Sequence, residues 1–518
     1  MTGDDRNTTT LLSSLFVLYP KKTTAQVTLT NKEVIIEIDQ DKNKYTEKIS
    51  LDDVIGCHVL EGNHTTGCDW YLCIFSYPLK KKLFKGMIRH RITRSLGIIS
   101  SKDRNNNKEI AEKWKCVIKY LISGKTVTKS EVESVVELPS RRYIVYVNPF
   151  SGQGKAVEMY NGPVRSMLAE AEVKHKMIKT KYAGHAKEMV KEVNLSDCDG
   201  IIIVSGDGLV HEVINGLMER KDWKTAIKTP IGIVPGGSGN ALAASVIYAS
   251  TGLHPVPSST TSSVFHICRG AAKDLDIMAI ETISQNNPLE TTVTYGVLGV
   301  VVGLIADVDI DSEHLRKFGE GFRTALYGVL RVLTFRSYKI NVSYLPMGKP
   351  PSVNCENNET TSQSKQSVEP AANNRNLAAG DTSPPLHNDL LAPLNQPLPK
   401  SWREETGEYL MVSGINLSHL SQDAMIHKNL KFGDGTIQVA MMRSGMNRRT
   451  LIKLWGALED GSGIVDDPSG HKEVQLCSAF RISPESNQCK ITLDGEKVPF
   501  GPLQCQVHHA LGRIFSTA

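Results

Sequence analysis

Three times within about a hundred residues, this chain runs a short β-branched strand into a glycine-rich turn and then into a helical pattern. Tyr143–Val147 leads into Asn148, Pro149, Phe150, Ser151, Gly152, Gln153, Gly154 and Lys155. Ile201–Val204 leads into Ser205, Gly206, Asp207 and Gly208, after which Val210, Val213, Ile214 and Leu217 share one helical face. Ile231–Val234 leads into Pro235, Gly236, Gly237, Ser238, Gly239 and Asn240. Compact apolar runs bounded by glycine read as buried strands. Strands alternating with helices imply a parallel sheet, and ligands bind where such strands end. Glycine lets backbone approach a ligand, and a helix N-terminus favours phosphate. Residues 141–280 are therefore predicted to form an α/β nucleotide-binding domain.

Within the central turn, Asp207 has three available jobs: general base, metal ligand or helix cap. The first turn is not a Walker A loop, because Ala156 after Lys155 lacks the hydroxyl offered to Mg²⁺. It is not a dinucleotide fingerprint either, since the third glycine is missing. Lys155 reads equally as a phosphate contact or a solvated lysine. Gly237, Ser238 and Gly239 read as a phosphate cradle of backbone amides and one hydroxyl, with Asn240 capping a helix that begins at Ala241.

The stretches Ser-Gly-Asp-Gly-Leu-Val-His-Glu-Val-Ile-Asn-Gly-Leu (205–217) and Pro-Gly-Gly-Ser-Gly-Asn-Ala-Leu-Ala-Ala-Ser (235–245) resemble the diacylglycerol-kinase catalytic superfamily. Within it they look like sphingosine kinases, as does the block from Ala306 to Arg316. The resemblance runs from about Arg141 to the C-terminus. It implies a lipid kinase that uses ATP and Mg²⁺ to phosphorylate the primary hydroxyl of sphingosine. It makes Asp207 the general base, in a substrate loop with Ser205, Gly206 and Gly208, and gives Asp309 the substrate ammonium. It lines the ATP site with Asn148, Pro149 and Phe150; Thr180, Lys181, Tyr182, Ala183 and Gly184; Gly237, Ser238 and Gly239; Arg316 and Arg323; and Asp494, Gly495 and Glu496. Glu212 is implied to help with Mg²⁺ or ATP, or is a solvated glutamate; no metal ligand is identified. Ceramide kinase is the nearest rival, disfavoured because an amide needs no counterion such as Asp309. NAD kinases share the Gly-Asp-Gly core but not the Ala306–Arg316 block. A catalytically inactive lipid-binding adaptor is the rival of another class, and the intact Asp207 argues against it.

Residues 1–125 show short alternating strands and then a helical pattern, Lys108–Ile122, with Ile110, Trp114, Val117, Ile118 and Leu121 on one face. This resembles a pleckstrin-homology-like β module, joined by a polar linker, 126–140. Lys80, Lys81, Lys82, Lys85, Arg89, Arg91 and Arg94 form the densest basic stretch, read as contact with anionic headgroups or a partner, or as a solvated loop. Residues 281–518 are predicted to form an antiparallel β-sandwich that holds the lipid. Thr291–Ile305 reads there as one core strand running into Asp307, Asp309 and Asp311. Leu326, Val329, Leu330 and Leu333 suit a lid or a buried helix face. Composition marks 348–399 as a disordered insert.

A net charge of +5 over 518 residues suits visits to an anionic membrane surface. With no dense basic and aromatic tract, nucleic acid is not an expected partner. Ten cysteines without a Cys-x-x-Cys pair point to reduced thiols. No apolar run reaches spanning length, and Leu11–Tyr19 follows acids instead of a basic region. A cytosolic protein with peripheral membrane association is expected.

Overall fold

A computed structural model describes residues 8–40, 43–62, 68–83, 86–151, 154–237, 239–257, 259–283, 291–311, 336–347, 391–463, 470–485 and 489–517. The N-terminal sheet contains β1 (Thr10–Tyr19), β2 (Thr23–Thr30), β3 (Glu33–Gln40), β4 (Asn43–Ser50), β5 (Val54–Glu61), β6 (Trp70–Ser76) and, after a separate hairpin of β7 (Leu79–Lys82) and β8 (Gly86–Arg89), β9 (Ile92–Ile98). Its strand order is β4-β3-β2-β1-β9-β6-β5, antiparallel throughout. Helix α1 (Arg104–Ile122) closes one face. Asp103 starts it by accepting the Asn105 N–H, and Trp114 is buried edge-on to Phe16 at 5.0 Å. Val127 and Val132, from the stretch read as a polar linker, are buried in this same core.

The strands β5 and β6 are apolar on both faces. Leu72 and Ile74 enter the module's own core, whereas Tyr71, Cys73 and Phe75 pack with Val145, Val147 and Phe265 of the next unit. There β10 (Arg142–Val147), β11 (Lys174–Lys179), β12 (Gly200–Ser205) and β13 (Ile231–Pro235) form the predicted parallel sheet, in the order β11-β10-β12-β13. The helices are α2 (Ala156–Met159), continued through a π turn at Tyr160–Val164 into α3 (Arg165–Glu170), then α4 (His185–Glu192), α5 (Asp207–Met218), α6 (Trp223–Ala226), α7 (Ala241–Thr251) and α8 (Ser259–Arg269).

From β14 (Ala272–Ile283) onward the sheet turns antiparallel, through β15 (Thr291–Gly296), β16 (Gly299–Gly303), β17 (Tyr338–Pro346), β18 (Arg403–Ile415), β19 (His419–Ser421), β20 (Ala424–Met425), β21 (Ile437–Arg443), β22 (Lys472–Pro484), β23 (Ile491–Leu493), β24 (Glu496–Val498) and β25 (Leu503–Phe515). Two further helices are α9 (Leu304–Asp311) and α10 (Arg448–Glu459). The strands, the short β19–β20 pair apart, do not form the two separate sheets of a sandwich. β22, β17, β18 and β21 pair in a closed ring around one core, and β25 joins that ring to the parallel sheet, where Ile514 registers with Ile231.

Two further expectations are corrected. Thr291–Ile305 is not one strand. It breaks at Val297–Leu298 and ends at Gly303, whose φ of 89° takes the chain out of the sheet into α9. The insert expected to be disordered to 399 is ordered from Leu391. The buried Arg481 guanidinium donates to the carbonyls of Ala392, Pro393, Leu394 and Gln396, and Leu391 and Trp402 pack on Ala479. Gln504 accepts from Arg481 and donates to Glu281, completing the network. The composition of 391–399 is that of a loop; what orders it is an arginine eighty residues later. Residues 348–390 and the 326–333 stretch lie outside the described residues.

Arg481→Ala removes the donor shared by four carbonyls of the 392–396 segment. The expected cost is about 2–4 kcal/mol, seen as a thermal midpoint lower by roughly 2–5 °C. An unchanged midpoint in differential scanning fluorimetry would show that the 391–399 segment is held by something else.

Candidate active site

The three glycine turns converge at the carboxyl edge of the parallel sheet. The Asn148 N–H donates to the Val204 carbonyl at 3.3 Å, Ser151 Oγ to the Gly236 carbonyl at 2.6 Å, and the Gly236 N–H to the Ser205 carbonyl at 2.9 Å. The second and third turns touch backbone to backbone. A Cβ on Gly237 would lie 2.4 Å from the Gly206 Cα, so neither turn tolerates a side chain. The Asn148 side chain accepts the Phe150 N–H, and Phe150 projects into solvent, 77% exposed. Pro149 lies in the same turn, between them. Ser151 ties the first turn to the third; the Asn-Pro-Phe-Ser-Gly string held it, but no spacing rule singles it out.

Asp207 is the first residue of α5, yet it caps a different helix. Its carboxylate accepts the Ala241 N–H at 2.8 Å and the Leu242 N–H at 3.3 Å, both in the first turn of α7. Asn240, predicted to be that cap, has φ 55° and turns back on its own loop. It accepts the Gly237 N–H at 2.9 Å and donates to the Gly237 carbonyl at 2.7 Å. Burial pushes the Asp207 carboxyl up to about 6, against the two amide hydrogen bonds, with Asp494 adding to the rise. Gly239 comes close on the other side, with room for a Cβ only 3.4 Å from Asp207 Oδ2. Ser238 lies outside the described residues.

The other acids follow the same pattern. Glu212 accepts the Ala186 N–H at 3.1 Å and so caps α4, whose own N-cap, Gly184, has φ 86° and no side chain to give. The segment Thr180–Gly184 is the turn before that helix. Thr180 is buried and continues the β10–β11 pairing by donating its N–H to Val147. Lys181, Tyr182 and Ala183 are exposed, and the Tyr182 hydroxyl is turned onto Glu188. Asp494 is buried in the β23–β24 turn. It accepts the N–H groups of Val297, Leu298 and Gly299 at 2.9–3.0 Å and lies 3.4 Å from His211 Nδ1. Its side chain thereby joins the β23–β24 turn to the 297–299 loop and stands beside α5. Gly495, with φ 83°, makes the turn, and the exposed Glu496 carboxylate rests over Gly208, 2.6 Å from where a Cβ would stand.

Asp309 lies in α9, not at a strand end as expected. Its two rivals for the substrate ammonium are engaged: Asp307 accepts the Tyr338 hydroxyl at 2.6 Å, and Asp311 pairs with Lys490. Arg316 and Arg323 lie outside the described residues.

Residues 142–280 match the diacylglycerol kinase catalytic domain. The chain is 28% identical to human Sphingosine kinase 2 over 98% of its own length and 91% of that protein. It is 32% identical to human Sphingosine kinase 1, over 71% of this chain and 88% of that one. To Sphingoid long chain base kinase 4 of Schizosaccharomyces pombe it is 29% identical, over 73% and 75%.

The α4 cap separates two roles for Glu212. Glu212→Gln keeps an acceptor for the Ala186 N–H and should bind nucleotide nearly as the parent does. Glu212→Ala removes it, at about 1 kcal/mol, or several-fold in nucleotide affinity. A metal ligand would fail in both variants, so titration calorimetry showing equal losses would contradict the capping role.

Proposed function

The chain belongs to the sphingosine kinase family, and on that premise we propose that it transfers the γ-phosphoryl group of ATP to the primary hydroxyl of sphingosine or a related sphingoid base. The observation that carries the reading is Asp207, held between two glycine turns by the amides of α7 with its carboxyl near the operating range of a general base. As the substrate oxygen attacks the γ-phosphorus, its proton passes to the Asp207 carboxylate. The bond from phosphorus to the bridging oxygen breaks, and ADP leaves with the electron pair. The backbone amides of Gly237 and Gly239, with Asn148 and the Thr180–Gly184 turn, would position the nucleotide.

Mg²⁺ would arrive with ATP and neutralise phosphate charge. The donors present fit an ion that takes most of its ligands from phosphate and water, since Asp494 accepts three amides, Glu212 keeps one oxygen on the Ala186 amide, and the exposed Glu496 carboxylate at the cradle would hold it. Asp309 would pair with the sphingoid ammonium, a cation that leaves water only at a cost of several kcal/mol without an anionic partner. In this reading residues 1–125 are a pleckstrin-homology-like module, 126–140 a linker, 141–280 the ATP-binding domain, and 281–518 the part that holds the lipid. The enzyme would work in the cytoplasm with peripheral membrane contact. No helix of the described residues is long and apolar enough to cross a membrane.

Asp207→Asn should lower kcat by about 10²–10⁴-fold with Mg·ADP binding retained. In the parent, kcat/KM should fall as pH drops through about 6, because protonation removes the base. Near-parental turnover in the variant, or a flat profile from pH 5 to 8, would remove Asp207 from the chemistry. Asp309→Asn should cost roughly 3–5 kcal/mol in kcat/KM for sphingosine, or two to four decades, and far less for a neutral lipid alcohol. Equal losses on both lipids would mean that residue 309 supports the fold or the nucleotide.

A further inference from the structure

The basic stretch between β6 and β9 is two things, not one. Its arginines are structural. The Arg89 side chain is buried, donates to the Tyr77 carbonyl at 2.8 Å, pairs with Asp53 and stacks 3.5 Å over the Phe265 ring of α8. Arg91 pairs with Glu170 at the end of α3, where the Tyr77 hydroxyl also donates, and Arg94 pairs with Glu47. These contacts fasten the base of the hairpin to both the module and the catalytic unit.

The lysines stand at the other end. Lys80, Lys81 and Lys82 are all exposed on β7, and no carboxylate of the described residues pairs with them. At the tip, Leu83 is 80% exposed, the most exposed of the large apolar side chains described. Among the described residues β7 and β8 pair only with each other, Lys80 opposite Ile88 and Lys82 opposite Gly86. An exposed leucine following three successive exposed lysines that no carboxylate of the described residues pairs complements one surface well: acyl chains beneath anionic headgroups. We propose that the β7–β8 hairpin docks the protein on an anionic lipid bilayer, with Leu83 entering the interface and Lys80, Lys81 and Lys82 on the headgroups.

The test uses the full chain, with vesicles of phosphatidylcholine alone or mixed with phosphatidylserine. The Lys80→Gln, Lys81→Gln, Lys82→Gln triple variant should bind the mixed vesicles on the order of 10²-fold more weakly. Leu83→Ser should lose roughly tenfold. Added salt should weaken the parent and leave the triple variant unchanged. Both variants should keep the parental thermal midpoint and the parental rate on detergent-dispersed sphingosine. Parental vesicle binding by the triple variant would overturn the proposal. So would equal binding of the parent to both vesicle types, or loss of self-association in sedimentation velocity, which would make the occupant a second copy. A parent that binds mixed vesicles but does not phosphorylate sphingosine would sink the proposed reaction and leave the docking surface standing.

Discussion

The carboxylate of Asp207 on the first amides of α7 is the contact on which the site depends. A helix N-terminus presents N–H groups without intrahelical partners, and a nearby anion stabilises them. Here the anion comes from a neighbouring helix, so satisfying α7 also sets the distance between the second and third turns. The same device recurs. Glu212 carries the α5 face to α4, Asp494 carries the β23–β24 turn to the 297–299 loop, and Asp276 accepts the N–H groups of Gly435 and Ala510. Each acid joins segments far apart in sequence. Burial raises the carboxyls of Asp207 and Asp276, so this mode of fastening works against ionisation. In the proposed reaction that opposition would give the Asp207 carboxylate a proton affinity suited to taking a proton from an alcohol.

The parallel unit was legible because its signals are local. Apolar runs of five or six residues, glycine at the turns and periodic helix faces lie within thirty residues of one another, and Gly184 and the Asp494–Gly495 turn were found the same way. Which group completes which helix was not legible. Asn240 has the composition of a cap and stands in the cap position, yet an acid thirty-three residues earlier displaces it. The break at Val297–Leu298 could not be read from a run of valine, leucine and glycine, because its cause is a carboxylate at 494. Order at 391–399 depends likewise on Arg481. A one-dimensional reading sees propensity and period; it does not see a buried charge choosing its partners across the fold.

The basic stretch shows the same limit from another side. Seven cations of similar spacing read as one surface. In the fold their position relative to the β6–β9 ladder divides them. Arg91 and Arg94 flank or lie within a paired strand and meet Glu170 and Glu47, whereas the lysines fall on a hairpin that leaves the sheet. The division follows from topology and not from residue type.

The strand β25 carries a consequence of its own. It pairs with β14 along its length, meets β22 at its beginning and reaches β13 at its end, where Phe515 fills the space under Gly200. The last strand of the chain is thus an interior strand of its largest sheet. During synthesis, residues 142–280 leave the ribosome as a sheet with one flank still open, and that flank stays open until more than two hundred further residues have followed. The β13 edge is a template for unwanted pairing throughout that interval. Contacts of such long sequence separation are slow to form. A cell making this protein therefore has to shelter an unfinished edge while those two hundred and more residues are added.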